Sequence, residues 1–115
     1  MASYCVYVIE LSKKVFTENA KFRAANPQFN GVLECLYVGI TSKTPKERLI
    51  QHKSGYMKKK GHKLSANIGE QYGTYLRPTL YNKSNIKPMT RAQALYAEEQ
   101  LALELRRQGY AVWFN

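Results

Sequence analysis

Glu98 is the residue whose surroundings most call for a chemical explanation. It falls in the run Arg91-Ala-Gln-Ala-Leu-Tyr-Ala-Glu-Glu-Gln-Leu-Ala-Leu-Glu-Leu. Successive residues of a helix rotate by about 100°. With Leu101 as zero, Ala94 falls at about 20°, Leu105 at about 40°, Ala102 at about 100° and Leu95 at about 120°. Glu98 falls at about 60°, inside that apolar stripe, while Glu99 and Glu104 lie at its edges. A carboxylate on a core-facing stripe is costly unless something satisfies it. Two partners qualify: a buried Arg or Tyr, or a hard cation for which the carboxylate is a natural ligand.

A second candidate set lies earlier in the chain. Arg48 and His52 are four apart and share a helix face. The planar fork of an Arg suits a phosphate, and a His can move protons near neutral pH. The same pattern also fits an ordinary solvated face. Tyr7 and Tyr37 occupy matched positions in two segments that each read Cys-x-Tyr-Val. A single strand Tyr usually only packs; a matched pair on neighbouring strands carries more information. Lys58, Lys59, Lys60 and Lys63 form a basic run able to touch phosphates. No phosphate-binding glycine loop and no nucleophilic Ser or Cys motif occurs.

These side chains need elements to place them. Residues 4–10 and 34–40 are rich in β-branched and aromatic types and predict two strands, with apolar residues on both faces of each. Such a pair belongs in the middle of a covered sheet. The polar stretch 12–32 between them predicts an elaborated connection with a short helix around 17–25. Thr44-Pro45-Lys46-Glu47 supplies a cap, a Pro at the first helical position and a capping-box Glu, predicting a helix over 45–54. A weaker helix is expected over 62–70 and a strand near 77–81. Pro88-Met89-Thr90 introduces the clearest helix, 91–108, which Gly109 stops. Residues 109–115 read as a closing strand.

Composition narrows the partners. A chain of 115 residues with 44% hydrophobic content suits one domain, here residues 1–115. Eighteen Lys and Arg against eight Asp and Glu give a formal charge of +10. Such an excess attracts a polyanion, and nucleic acid is the commonest one. No apolar run is long enough to span a bilayer, so no membrane is expected. No basic lead with a long apolar core precedes the first strand, so no secretory signal is expected. Cys5 and Cys35 lack metal-type spacing, which argues against a cysteine zinc site and makes a reducing, cytoplasmic setting the default.

Taken in order, these residues resemble the GIY-YIG nuclease superfamily. The first motif is Cys5-Val6-Tyr7 and the second Tyr37-Val38-Gly39. Arg48 and His52 match the family's R-x-x-x-H. Ala94-Leu95-Tyr96-Ala97-Glu98 is similar to its metal-binding helix. Gly109-Tyr110-Ala111-Val112-Trp113 is similar to the ending of small stand-alone members. Cys5 stands in place of the first motif's Gly, and the gap between the tyrosines is longer than usual. Ile40 stands where some members carry a Lys, a place Lys43 or Lys46 can take.

The resemblance implies an α+β fold, a small antiparallel sheet of three to four strands flanked by helices. It implies an endonuclease hydrolysing DNA phosphodiesters with one divalent metal, Mg²⁺ or Mn²⁺, on Glu98. Arg48 then neutralises a phosphate oxygen. Tyr7 or Tyr37 orients or deprotonates the attacking water, and His52 supports a tyrosine or the phosphate. Gly39, Lys43, Lys46, the basic run Lys58–Lys63 and Asn115 are expected to contact nucleic acid. A basic chain with stacking tyrosines also fits a non-catalytic nucleic-acid-binding protein or an RNA-directed nuclease, and monomer and homodimer are both open.

Overall fold

Four consecutive residues, Val6-Tyr7-Val8-Ile9, are buried on both faces of the first strand, β1 (Cys5–Leu11). The second, β2 (Cys35–Thr41), is buried almost throughout. Continuous burial of this kind requires neighbours on each side. The computed structural model describes residues 3–53, 68, 71–85 and 87–114, residues 51–53 by their backbone alone. Among these, β1 and β2 form the centre of a four-stranded sheet of order β3-β1-β2-β4. Their register is antiparallel, from Cys5 opposite Thr41 to Leu11 opposite Cys35.

The third strand, β3 (Gly73–Leu76), pairs antiparallel with β1, and β4 (Ala111–Phe114) pairs parallel with β2. The α+β architecture is thus a small sheet flanked by helices, with three antiparallel strands and a fourth added in parallel. Period-2 patterning reports which face a residue occupies and nothing about the direction of its neighbour.

Between β1 and β2 the chain forms two short helices, α1 (Lys14–Glu18) and α2 (Ala20–Ala25), where one helix was expected over 17–25. Asn19 breaks the run by accepting from the Phe22 amide as the cap of α2. Val15 and Phe22 anchor the two helices in the core. Asn26, fully buried, then joins this insertion to the outer edge of β4. Its Oδ1 accepts from the Val112 amide at 2.7 Å and from Arg106 Nε at 3.2 Å. An otherwise bare strand edge is thereby covered.

The helix α3 (Pro45–Lys53) starts under a Thr44 cap, with the Glu47 amide donating to Thr44 Oγ1. Of the helix expected over 62–70, Ile68 lies among the described residues; it is helical and buried. The strand expected at 77–81 is corrected. β3 ends at Leu76, and Pro78 opens a short helix, α4 (Pro78–Tyr81), followed by a 3₁₀ turn over Asn82–Asn85. Proline has no amide for a ladder, but its fixed φ suits a first helical turn.

The long helix α5 (Arg91–Gln108) matches its expected bounds. Thr90 and Gln93 form a complete capping box, and Gly109 ends the helix at φ 112°, a left-handed conformation that glycine adopts without strain. α5 packs on β4, β2 and β1, while α3 packs on β3 and β1. No helix among the described residues is long and apolar enough to cross a membrane, and both cysteines are free.

Candidate active site

The buried residues of α5 are Ala94, Glu98, Ala102 and Leu105. That spacing is one face of a helix, and it places the carboxylate where the apolar stripe requires. Glu98 is 1% exposed, whereas Glu99 next to it is exposed. Among the described residues, Glu98 Oε2 is buried with no hydrogen-bond partner. Burial raises its pKa to about 7, Arg91 pulling it down and Glu99 pushing it up. A buried Arg or Tyr pairing with this oxygen, the structural alternative, is thus absent among the described residues.

Glu98 faces a cavity of about 280 Å³ at the Cys5–Thr41 end of the sheet. Three cationic residues share its wall: Lys43, Arg48 and Arg91. Thr41 and Ser42, in the turn leaving β2, complete the polar part, and Tyr4, Ile40 and Leu95 the apolar part. The turn is held by Thr41, whose Oγ1 accepts from the Lys43 amide at 2.9 Å. The far side is held by backbone pairing of Tyr4 with Met89, just before α5 begins.

Tyr7 and Tyr37 lie next to this cavity without lining it. Both are buried, at 1% and 2% exposure, with ring centroids 6.1 Å apart. The Tyr7 hydroxyl shares hydrogen bonds with Arg48 and Tyr37. Burial and the neighbouring Tyr37 push its pKa well above that of a free phenol, and Arg48 opposes the shift. Arg48 therefore bridges the two halves of the site, with its guanidinium on Tyr7 and on the cavity that Glu98 faces. Gly39 makes the arrangement possible. A Cβ there would meet the Tyr7 hydroxyl at 2.6 Å and its ring carbon at 2.7 Å. Its visible part is to make room for Tyr7, and it is itself buried.

The remaining expected residues divide simply. Lys43 is on the cavity wall, while Lys46 is exposed on α3 and not on that wall. The side chain of His52, together with Lys58, Lys59, Lys60, Lys63 and Asn115, lies outside the described residues. Arg91 was not anticipated from the sequence. The signal was present: it precedes Glu98 by seven residues, two helical turns, and so points to nearly the same side of α5.

A divalent cation fits what is here. Mg²⁺ characteristically takes one or two carboxylates and fills its other positions with water and substrate phosphate oxygens. No group of three or more His, Cys, Asp or Glu is assembled among the described residues, so the donor offered is a single hard carboxylate oxygen, that of Glu98. The chain was compared with protein-family models, curated proteins and solved structures, and none of them matches it.

Proposed function

We propose that this protein is a metal-dependent endonuclease of the GIY-YIG type, hydrolysing phosphodiester bonds of DNA. The observation that carries the reading is the meeting of Glu98, with its unsatisfied buried oxygen, and Arg48, held by Tyr7, at one cavity. A phosphodiester brings negative charge that Arg48, Lys43 and Arg91 can meet. Glu98 would hold the divalent ion, Mg²⁺ or Mn²⁺, which when bound stabilises the leaving oxygen and the charge developing at phosphorus.

The chain's own groups divide the remaining work. Arg48 faces a non-bridging phosphate oxygen and is preset by its hydrogen bond with Tyr7, so little reorganisation is needed as charge builds. Tyr7 holds that guanidinium and is itself hydrogen-bonded with Tyr37. A tyrosine takes a proton from water only as the phenolate, having first given its own proton to solvent, and Arg48 is the group that favours that form of Tyr7 against burial. The net charge of +10 draws the polyanion in.

The test is incubation of the pure protein with supercoiled, branched and single-stranded DNA, with Mg²⁺ and with EDTA. Cleavage in Mg²⁺ that EDTA abolishes is expected. Salt-sensitive binding with no cleavage of any substrate would overturn the catalytic reading and leave a nucleic-acid-binding protein.

A further inference from the structure

The described arginines differ sharply in what they hold. Arg77 donates to Glu10 and Glu34. Arg106 donates to Asn26 and the Val112 carbonyl, and Arg107 to Glu104. Arg23 donates to the carbonyls of Phe16 and Thr17, and Arg48 shares a hydrogen bond with Tyr7. Arg91 alone of these makes no hydrogen bond or ion pair among the described residues. Its backbone is nonetheless firmly placed. It is the first residue of α5, inside the Thr90–Gln93 capping box, and the Tyr4–Met89 pairing ties that turn to β1. A fixed backbone carrying an exposed guanidinium with no hydrogen bond among the described residues, its charge felt by Glu98 across the cavity, suits an anion from outside the chain.

We infer that Arg91 grips a substrate phosphate flanking the one that is cut, and so positions the strand across the cavity. The inference rests on the nuclease reading of this site and adds a substrate contact to it. That the phosphate lies to one side of the scissile one, within about three nucleotides, follows from length. Arg91 and Glu98 are seven residues apart on α5, about 10 Å along the axis. Phosphates of one strand advance by about 3.4 Å of duplex axis per nucleotide. A guanidinium two turns from the carboxylate reaches along the strand beyond the reacting group. Arg48, at the same cavity and hydrogen-bonded to Tyr7, remains for the scissile phosphate itself.

The experiment compares wild type, Arg91→Gln and Arg91→Lys on a short oligonucleotide duplex. The duplex carries its normal backbone, or one neutral methylphosphonate placed in turn at each linkage within about three nucleotides of the scissile bond, the linkage that weakens wild type most being the one compared. Arg91→Gln is expected to raise KM and Kd about tenfold while kcat stays within about threefold, and Lys to recover most of the loss, as a charge contact should. The slope of log K against log salt should fall by about 0.9, the value of one lost phosphate contact. The neutral linkage should weaken wild type about as much as Arg91→Gln and weaken that variant no further. A collapse of kcat with KM unchanged would overturn the inference, since Arg91 would then act only through Glu98. Fully additive losses would overturn it too. If wild type binds but does not cut, Kd and the salt slope decide the inference while the nuclease reading falls. If wild type binds no DNA, both fall.

Discussion

At the Leu11–Cys35 end of the β1–β2 pair, Arg77 donates to Glu10 at 2.7 Å and to Glu34 at 2.9 Å, and the Tyr75 hydroxyl donates to Glu10 at 2.9 Å. At the Cys5–Thr41 end, Glu98 keeps a buried oxygen without a partner, and Arg91 keeps a guanidinium without one among the described residues. Both ends are built of carboxylate, guanidinium and phenol. At the first, each group is satisfied within the chain, and the cluster ties β3 to β1 and to the start of β2. At the second, Glu98 and the cationic groups line one cavity without an ion pair among the described residues, although Arg91 is close enough to lower the Glu98 pKa. Leaving a buried polar atom unsatisfied costs stability. The open cluster is therefore the one left available to a group from outside the chain, as the proposed function requires.

The largest expected effect breaks the open end. Glu98→Gln should depress cleavage by a factor on the order of 10³, read in a Mg²⁺ cleavage assay. Thermal melts without a divalent ion should show stability held or raised, because a neutral amide relieves a poorly solvated charge. Added Mg²⁺ should stabilise wild type and leave the variant nearly unmoved. Loss of apo stability in Glu98→Gln would make the open end a second structural cluster.

Titration sharpens the same contrast. The folded-state pKa of Glu98 is raised, by burial first, to about 7 from an ordinary value of 4.5. An acid whose pKa rises on folding contributes stability below its unfolded value and loses it as pH climbs through the folded one. Without a divalent ion, wild type and Glu98→Gln should therefore match below about pH 4.5. By pH 8 wild type should be weaker by on the order of 3 kcal/mol, measured by denaturant unfolding across pH. Mg²⁺, which needs the ionised carboxylate, should shrink that gap, and cleavage should rise with pH as the carboxylate ionises, at lower pH the more Mg²⁺ is present, because metal and proton compete. A flat difference across pH would mean that Glu98 is compensated in the folded protein.

At the closed end the signs reverse. Arg77→Met leaves Glu10 and Glu34 facing each other without their shared cation. It should cost about 2 kcal/mol in denaturant unfolding, the scale of hydrogen bonds to charged groups that are partly exposed. Cleavage per folded molecule should not change. Gly39→Ala falls between the two ends in kind. Its Cβ would collide with the Tyr7 hydroxyl at 2.6 Å, so Tyr7 must leave its place beside Arg48. A loss of about 1–3 kcal/mol is expected in the melt, with a drop in turnover of about tenfold from the displaced guanidinium.

The contrast between the two ends was only partly legible in the sequence. Glu98 was readable because a helix has a fixed period and a charge inside its apolar stripe stands out. Tyr7, Tyr37 and Arg48 were readable as an ordered set, and the central strand pair as two-faced apolar runs. Arg77 was taken for the start of a strand, since Thr74-Tyr75-Leu76 and Leu80-Tyr81 flank it with similar residue types. Pro78 was the discriminating residue, as it starts a helical turn. The parallel docking of β4 and the role of Asn26 depend on contacts between segments far apart in sequence. An Asn after a short helix looks like any turn residue until Val112 and Arg106 are placed beside it. Arg91 was hidden for a related reason: an exposed Arg at a helix start is ordinary until the opposite wall of its cavity is known.

The smallest effect is the most specific. Glu99 adjoins Glu98, but about 100° of helix rotation carries it out to solvent. Glu99→Gln removes no contact at the cavity, so stability should stay within about 0.5 kcal/mol and maximal cleavage within about twofold of wild type. Its charge is still felt at Glu98, where it pushes the pKa up. Removing it should move the rising limb of the cleavage profile to slightly lower pH at low salt. The shift should fade in high salt, because an exposed charge is screened over about a Debye length. A matched comparison is Glu104→Gln, which removes an exposed partner of Arg107 on the same helix, away from the cavity. That variant should leave the pH profile where it was. If both variants shift the profile equally, the titrating group is responding to the net charge of the chain. If only Glu99→Gln does so, the titrating group is the carboxylate beside it.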